Sequence, residues 1–442
     1  MSNLQTPEDV QKLRTALHAK AKKEPEFRFY ILYDKIYRTD VLTHAYRCCK
    51  ANKGAAGVDE IRFEDIEAYG EERWIGELAD GLKKKEYQPE AVRRVWFPKP
   101  DGKMRPLGIP TIKDRVVQTA AMIVLEPIFE ADLQPEQYAY REQKGAHDAV
   151  NAVRHLLSTG HQHIIDADLS GYFDSLPHPE LMKCVARRVS DKRVLHLIKM
   201  WLDVPVEEED EHGNRKRTTS NRDTGRGVPQ GAPISPLLSN IYMRRFILGW
   251  KQQGCARRWS AHIVNYADDF VICCKGQAEE AMAAVRGMML KLKLTINEEK
   301  TRMCHLPQEP FDFLGYTFKQ CYRYDTGQAF IGTRVSKKSI KRMVRNVTQE
   351  TGRNRTCLEA KVIVTRLNRK LMGWANYFCL GQVSPAHKAI NAHTSRRLRQ
   401  WLRQKHKVQG KGRVIYPDHY LYKQLGLACL SARHRNLSWA KG

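Results

Sequence analysis

Apolar residues recur with helical spacing through the first ninety residues, and strand-like alternation follows. The 3.6-residue period predicts helices within Tyr30–Ala51 and Ile66–Lys84, separated by a glycine-containing loop at 52–59. Alternating residues predict strands at Val92–Phe97 and Met104–Ile109. Because the Asp-Gly pair between these strands is a strong hairpin signal, this stretch should be a two-stranded finger with basic residues at its tip and base.

The same hydrophobic periodicities predict more helices than strands along the rest of the chain. A polar excursion at Glu207–Arg226 should be a hairpin or a flexible loop, and helices dominate from residue 336. The remaining predicted helices are Arg115–Phe129, closing near Pro127, then Gly145–Leu157, 179–203, Leu237–Trp250 and 277–293, and the remaining predicted strands are His163–Asp168 and Phe311–Phe318.

The tetrapeptide Tyr266-Ala267-Asp268-Asp269 lies between two apolar, β-prone runs and predicts a hairpin that ends in adjacent carboxylates. Like charges at this spacing repel unless a cation lies between them. One interpretation is a pair of divalent ions that clamp a phosphate, as in polymerases and nucleases. The alternative is an ordinary surface turn, because Asp is a common turn residue.

A second predicted strand, His163–Asp168, also runs into carboxylates, at Asp166 and Asp168. A two-metal site requires carboxylates on neighbouring strands, so this strand is the candidate partner of the Asp268-Asp269 hairpin. Mg²⁺ suits such a site because it takes one or two carboxylates together with phosphate oxygens and water. Asp166 and Asp168 point to the same face of a strand, so their spacing alone does not choose between them.

Composition narrows the class of protein. The chain has 442 residues, which suggests several subdomains, and 42% of them are hydrophobic. We expect no membrane span, no secretory signal and no zinc module, because long apolar runs and C-x-x-C pairs are missing from the sequence. The eleven cysteines are better explained as reduced thiols that mostly pack as small hydrophobes, and we expect a cytosolic protein.

The positive charge is concentrated at the C-terminal end. Residues 336–442 contain 24 Lys and Arg against three Asp and Glu, which gives +21 of the net +26. A field of this kind binds polyanions. A nucleic-acid-binding C-terminal region is favoured over one that binds acidic lipid. The interleaved aromatic residues either stack on bases or belong to the core: helical spacing favours the core for Trp374 and Tyr377 and leaves both interpretations open for Trp401, Tyr416 and Tyr420.

A series of short blocks resembles the bacterial group II intron-encoded reverse transcriptases, or maturases. Each block is weak alone, but eight of them follow the order of the family and cover about residues 30–442. They are Lys53–Asp59, Pro98–Pro100 with Arg105–Pro110, Asp166–Asp174 with His178, Val228–Gly231 with Ser235–Leu237, Tyr266–Asp269, Glu299–Thr301, Phe313–Tyr316 and Gly373–Phe378.

The resemblance implies an α+β right-hand polymerase with fingers, a palm built on an antiparallel sheet, a helical thumb and a basic C-terminal extension. The corresponding division of the chain is an N-terminal helical extension with the start of the fingers at 1–90, fingers at 91–160 and palm with part of the fingers at 161–335. The thumb or maturase domain follows at 336–400, and a basic segment that binds DNA or RNA at 401–442.

The resemblance also implies the site. It selects Asp168 over Asp166, so that Asp168, Asp268 and Asp269 are catalytic and, with Leu169, hold two Mg²⁺ ions. The implied substrate-binding residues are Lys99 and Arg105 for the triphosphate, Phe173 against a ribose 2′-hydroxyl, Gln230 and Ala267 in the nucleotide pocket, and Lys300 at the primer. Implied partners are a group II intron RNA, an RNA template with a DNA primer, a DNA target and deoxynucleoside triphosphates.

Two departures from the family pattern keep alternatives open. Where the family usually has Pro-Gly-Arg after Tyr138–Arg141, this chain has Glu142–Gly145, close to the expected template path. The chain also stops at Gly442 without a Cys/His-rich nuclease segment, so we expect it not to cut the second DNA strand itself. The expected function is an active RNA-directed DNA polymerase that assists splicing and copies its intron. The alternatives are a splicing cofactor with a vestigial polymerase and a domesticated reverse transcriptase in defence or DNA repair.

Overall fold

The computed structural model of the chain describes residues 4–98, 104–210, 214–323, 325–410 and 412–433. The backbone forms two compact units. One consists of Met1–Gly145, Ala167–Ile272 and Gln277–Arg302, and the other of Ala146–Asp166, Cys273–Gly276 and Met303–Gly442. The five-part division expected from the sequence stays a prediction beside these two units.

Helices make up most of the described chain. In order they are α1 (Glu8–Lys23), α2 (Tyr33–Ile36), α3 (Thr39–Ala51), α4 (Phe63–Tyr69), α5 (Glu71–Lys84), α6 (Ile112–Glu130), α7 (Ala146–Ser158), α8 (Tyr172–Ser175), α9 (His178–Ala186), α10 (Lys192–Leu202), α11 (Ser220–Thr224), α12 (Ser235–Gln252), α13 (Cys255–Arg258), α14 (Ala278–Lys291), α15 (Lys337–Glu350), α16 (Ala360–Tyr377), α17 (Ser384–Lys405) and α18 (Leu430–Arg433). Among the described residues, none of these helices is both long and apolar enough to cross a membrane.

The strands form three sheets. They are β1 (Val92–Pro98), β2 (Met104–Ile109), β3 (His163–Ala167), β4 (Val206–Glu209), β5 (Arg215–Thr218), β6 (Ala261–Tyr266), β7 (Asp269–Cys274), β8 (Arg302–His305), β9 (Phe311–Phe313), β10 (Tyr316–Tyr322) and β11 (Ala329–Val335). The strand orders are β2-β1-β4-β5, β11-β10-β9 and β6-β7-β3-β8.

The two strands of the predicted basic finger are confirmed as the antiparallel pair β1 and β2, in which Phe97 lies opposite Arg105, while the predicted Asp101-Gly102 turn lies outside the described residues. The polar excursion is a hairpin, β4 and β5, and it extends the same sheet because β4 runs parallel to β1 at Val92↔Val206. Acidic residues of β4 lie opposite basic residues of β5, as at Glu207↔Arg217. Such cross-strand charge pairs stabilise a hairpin in which half of the strand residues are exposed.

The single helix predicted at 179–203 is wrong, because the chain breaks between α9 and α10. At the break, the Phe29 N–H donates to the Arg188 carbonyl at 2.7 Å, and the Ser190 N–H donates to the Phe29 carbonyl at 2.8 Å. Arg188 is fully buried and donates to the Ala21 carbonyl at 2.7 Å. Asp191 then caps α10 by accepting from the backbone of its first turn. A distant segment therefore satisfies the backbone that a continuous helix would have used.

Two other boundaries differ from the prediction. The helix expected to close near Pro127 continues to Glu130 with the proline inside it. The strand expected at Phe311–Phe318 is two strands, β9 and β10, because Leu314 and Gly315 both have positive φ, 49° and 81°, and reverse the chain. A Cβ at Gly315 would lie 2.9 Å from Ser339 Oγ, so this turn requires glycine.

The C-terminal helices α15 to α17 bury a common apolar core. Leu367, Leu371, Leu398 and Trp401 are each fully buried in it. Tyr416 is only 7% exposed. Of the two interpretations left open for Trp401 and Tyr416, the buried core is therefore the one that the structure supports, since both rings are used for packing.

Candidate active site

The Tyr266–Asp269 segment is the predicted hairpin, formed by β6 and β7. Ala267 is buried and has a φ of 58°, in the left-handed region that alanine rarely adopts. The buried Asn265 side chain stabilises this turn by donating to the Ala267 carbonyl at 2.8 Å. The turn leaves the Asp268 side chain partly exposed and Asp269 exposed, while the rest of β7 is buried. Both carboxylates thus end a buried strand and face solvent.

Asp168 follows β3 and is fixed by the segment that contains the Glu299–Thr301 block. The Asp168 carbonyl accepts from the Asn297 N–H at 2.8 Å, and its own N–H donates to Thr301 Oγ1 at 3.3 Å. Leu169 forms a bridge with Ile296 directly afterwards. Backbone contacts on both sides therefore hold the strand end at which the third carboxylate is expected.

Lys300, expected at the primer, forms an ion pair with Asp168. Its Nζ lies 3.0 Å from Asp168 Oδ2, with the Lys300 side chain 62% exposed and the Asp168 side chain 29% exposed. An exposed ammonium is easily displaced, because such a pair contributes at most about 1 kcal/mol. The Asp168 carboxylate thus already has a cation against it.

Three carboxylates are a donor set that Mg²⁺ prefers. Among the described residues, however, no group of three or more His, Cys, Asp or Glu side chains is already gathered closely enough to hold a metal ion. The chemistry of the donors fits divalent cations, and the Lys300 ammonium at Asp168 shows that positive charge is accommodated there.

The predicted nucleotide residues Arg105 and Gln230 are brought together by tertiary structure. Arg105 Nε donates to Gln230 Oε1 at 3.4 Å, and Gln230 Nε2 donates to Asp174 Oδ2 at 3.1 Å. The Gln230 carbonyl accepts from the Gly108 N–H of β2 at 2.6 Å, which ties its turn to the finger hairpin. Sequence reasoning did not assign Asp174 a role, although it lies within a recognised block.

Phe173 is 8% exposed, and its carbonyl accepts from the Val228 N–H at 2.8 Å. Its ring is thus held beside the turn that carries Gln230, which is compatible with the expected wall of a sugar pocket. Lys99, the other predicted triphosphate residue, lies outside the described residues.

Tyr140 was missed by the sequence reasoning. It is 48% exposed, and its phenol lies within electrostatic reach of Asp268, Asp269 and Arg105. Burial raises the pKa of Tyr140, and the two nearby carboxylates raise that pKa further. Nothing in its local pattern marks it, since the three partners are distant in sequence.

The altered segment after Arg141 is tied to the N-terminal helix. Glu142 Oε1 accepts from Arg14 Nη2 of α1 at 2.6 Å. Arg141 itself donates to Glu130 at 2.9 Å and to the carbonyls of Gln134 and Gln137 at 2.9 Å. The gained glutamate therefore has an intramolecular partner.

Comparisons with known proteins identify two family domains in this chain. A family model described as reverse transcriptase (RNA-dependent DNA polymerase) matches residues 97–318, and a model described as group II intron, maturase-specific domain matches residues 338–419. All three predicted catalytic carboxylates fall within the first match.

Two bacterial relatives extend over most of the chain. Protein YkfC of Escherichia coli is 34% identical over 345 residues, which are 70% of this chain and 87% of the relative. The group II intron-encoded protein LtrA of Lactococcus lactis is 28% identical over 353 residues, which are 66% of this chain and 57% of LtrA. This chain thus spans little more than half of LtrA.

Among solved structures, telomerase from Candida albicans in complex with a telomeric RNA fragment covers 82% of this chain and 68% of its own at 12% identity. Its TM-score is 0.42, too low for any conclusion. The family matches give the expected α+β, right-hand polymerase fold class. The chain belongs to the reverse transcriptase family, as an RNA-directed DNA polymerase that carries a group II intron maturase-specific domain.

Proposed function

We propose that this protein binds a group II intron RNA, assists its splicing and copies it into DNA by two-metal nucleotidyl transfer. The observation that carries the proposal is that β3, which leads into Asp168, is the sheet neighbour of β7, which begins at Asp269, within the reverse transcriptase match that the maturase-specific match follows. The protein would act in the bacterial cytosol, associated with the nucleoid; the bacterial source of the two relatives supports the bacterial part of this proposal.

Asp168, Leu169, Asp268 and Asp269 would hold two Mg²⁺ ions. When bound, these ions activate the primer 3′-hydroxyl and stabilise the leaving pyrophosphate. The protein's own charges prepare this step, because the Lys300 ammonium neutralises the Asp168 carboxylate until metal and substrate bind. Displacing that exposed ammonium costs little, and it frees Lys300 to contact the primer backbone.

The finger and the Gln230 turn receive the deoxynucleoside triphosphate. Arg105 offers a bidentate fork to phosphate oxygens, and Lys99 adds a point charge. Gln230 and Ala267 would line the nucleotide pocket. The Phe173 ring, held by its backbone contact to Val228, excludes a ribose 2′-hydroxyl by steric contact.

The basic faces of α15, α16 and α17 support binding of intron RNA and of the template–primer duplex. Their apolar sides form the buried core, so their exposed Lys and Arg side chains are left to follow a phosphate backbone. A DNA target site would be reached by the same polymerase when it primes on DNA.

Primer extension on an RNA template with Mg²⁺ and deoxynucleotides tests the polymerase. Asp268→Asn should lower extension by more than about 100-fold, since even indirect supports of metal ligands contribute 10–100-fold. The matched control is Asp80→Asn on the exposed face of α5, which should extend like wild type. Equal and negligible extension by wild type and Asp268→Asn would show that the polymerase assignment is wrong.

Splicing is tested separately with a transcript that contains the intron flanking the gene. Splicing that persists in Asp268→Asn would assign the two activities to different surfaces. The domesticated alternative, which the altered Glu142–Gly145 segment kept open, is less favoured because the maturase-specific match follows the polymerase match in this chain. Flanking DNA without intron sequence would reverse that preference.

A further inference from the structure

Tyr140 has a backbone conformation that tyrosine avoids. Its φ is 57°, in the left-handed region, where the Cβ of an L-residue crowds the following carbonyl. Strained conformations of this kind persist only where the surrounding structure fixes them, and they cluster at functional sites. The neighbouring active-site loop contains a second example, Ala267 with a φ of 58°.

A buried hydrogen-bond network fixes the loop that carries Tyr140. Gln137, Asn240 and Asn265 are each at most 1% exposed. Gln137 Nε2 donates to the Asn240 carbonyl at 2.9 Å, and Asn240 Nδ2 donates to the Ala139 carbonyl at 2.8 Å. Both residues beside Tyr140 are therefore held, Ala139 by Asn240 and Arg141 by its contacts to Glu130 and the loop carbonyls.

The same network connects the loop to the catalytic hairpin. The Tyr138 N–H donates to the Asn265 carbonyl at 3.0 Å, and the Asn265 N–H donates to the Glu136 carbonyl at 2.9 Å. Asn265 is also the residue whose side chain holds the Ala267 turn. The two strained residues, Tyr140 and Ala267, are thus positioned by one shared set of contacts.

The Tyr140 phenol is the group that this network presents to solvent. The side chain is 48% exposed beside buried Ala139, and Asp268, Asp269 and Arg105 interact electrostatically with it. A hydroxyl carried by a loop that is hydrogen-bonded to the Tyr266–Asp269 hairpin, within the influence of Arg105, can donate to a non-bridging phosphate oxygen. The carboxylates accept hydrogen bonds but cannot donate them when ionised, so this donor adds a contact that they cannot make.

We propose that Tyr140 is a substrate-positioning residue whose hydroxyl donates a hydrogen bond to the triphosphate of the incoming deoxynucleotide, between Arg105 and the Asp268-Asp269 pair. This inference rests on the proposed polymerase function and adds a contact to it. The backbone strain is retained because it directs the phenol toward the substrate.

Tyr140→Phe tests the contact, because it removes the hydroxyl and keeps the ring. With RNA template and DNA primer, the KM for deoxynucleotide should rise about tenfold while kcat changes less than about twofold, as expected for loss of one hydrogen bond to a charged group. The matched control is Tyr138→Phe in the same loop, whose ring lies against Lys144 with 4.8 Å between Nζ and the ring centroid. The control should keep the wild-type KM.

A binding measurement without chemistry gives the second readout. A primer that ends in a dideoxynucleotide cannot be extended but still forms the ternary complex with the next deoxynucleotide. The Kd of that deoxynucleotide should also rise about tenfold in Tyr140→Phe. Tyr140→Gly should weaken nucleotide binding at least as much while raising Tm, since glycine relieves the positive φ.

Wild-type KM and Kd in Tyr140→Phe, in an enzyme that extends primers, would overturn the inference and leave the proposed function standing. Equal losses in Tyr138→Phe and Tyr140→Phe would also overturn it, by showing a general effect on the loop. If wild type extends no primer, the proposed function fails, and this inference fails with it.

Discussion

Glu126 should make the stability of this protein fall as pH rises from mildly acidic to neutral. It lies on α6 with a side chain only 11% exposed, and its Oε2 lies 3.2 Å from Arg14 Nη2. Burial raises the pKa of Glu126 to about 7 from its ordinary value of 4.5. Arg14 opposes the rise, while the nearby carboxylates Glu142 and Glu130 add to it.

The direction of this pH dependence follows from whether the folded or the unfolded chain keeps the Glu126 proton. Below pH 4.5 the carboxyl is protonated in both the folded and the unfolded chain, so folding costs no ionisation there. Between pH 4.5 and about 7 the unfolded chain loses the proton and the folded chain keeps it, so the free energy of unfolding decreases as pH rises. At about 1.4 kcal/mol for a pKa difference of one, the total loss is about 3 kcal/mol.

Glu126→Gln keeps the volume of the side chain and cannot ionise. Urea unfolding at pH 5, 6.5 and 8 should show that the variant loses less stability than wild type across this range, by up to about 3 kcal/mol. The charge of the Arg14 pair is lost in the variant at every pH above 7, which reduces the gain there. The matched control, Glu279→Gln on the exposed first turn of α14, should follow the wild-type pH dependence. Parallel curves for wild type and Glu126→Gln would refute the reasoning.

Three further changes probe other parts of the molecule. Tyr87→Phe should lower the free energy of unfolding by about 2 kcal/mol in urea titrations. The Tyr87 hydroxyl accepts from Trp201 Nε1 at 3.0 Å and donates to buried Asp114 at 2.7 Å, so the variant leaves both groups without this partner. An unchanged midpoint of urea unfolding would contradict this prediction. Phe173→Ala should reduce discrimination against ribonucleotides by about 10–100-fold in single-nucleotide incorporation, and unchanged discrimination would remove Phe173 from the sugar pocket. Arg342 lies on the exposed face of α15, and Arg342→Gln should weaken the salt dependence of RNA binding. The slope of log K against log salt concentration should become less negative by about one, because one phosphate contact is lost. An unchanged slope would show that Arg342 contacts no phosphate.

The features that local pattern could predict are those encoded within a few residues. Strand alternation around an Asp-Gly pair predicts β1 and β2, and apolar runs around two aspartates predict the β6–β7 hairpin. Both are confirmed because turn chemistry and side-chain period are properties of neighbouring residues. The aromatic residues of the basic region show the limit of this reading, since helical spacing left open whether Trp401 binds nucleic acid, and its burial in the core decides against it.

The break between α9 and α10 shows why features that depend on distant contacts could not be predicted from local pattern. Residues 179–203 have one continuous helical period, but Phe29, more than 150 positions earlier, takes the backbone hydrogen bonds of Arg188 and Ser190. A period describes which face of an element is apolar, and it contains no information about which distant segment competes for its backbone.

The sequence by itself determined the chemistry of this protein: the types of side chain at the ends of two strands, the basic finger, the charge of the C-terminal region and the family to which they point. Only the tertiary structure decided that Lys300 pairs with Asp168, that Gln230 meets Arg105 and Asp174, and that the loop of Tyr140 is hydrogen-bonded to the Tyr266–Asp269 hairpin. The physical reason is that residue types and short periods are local properties, whereas these contacts join segments far apart in the chain and exist only once it has folded.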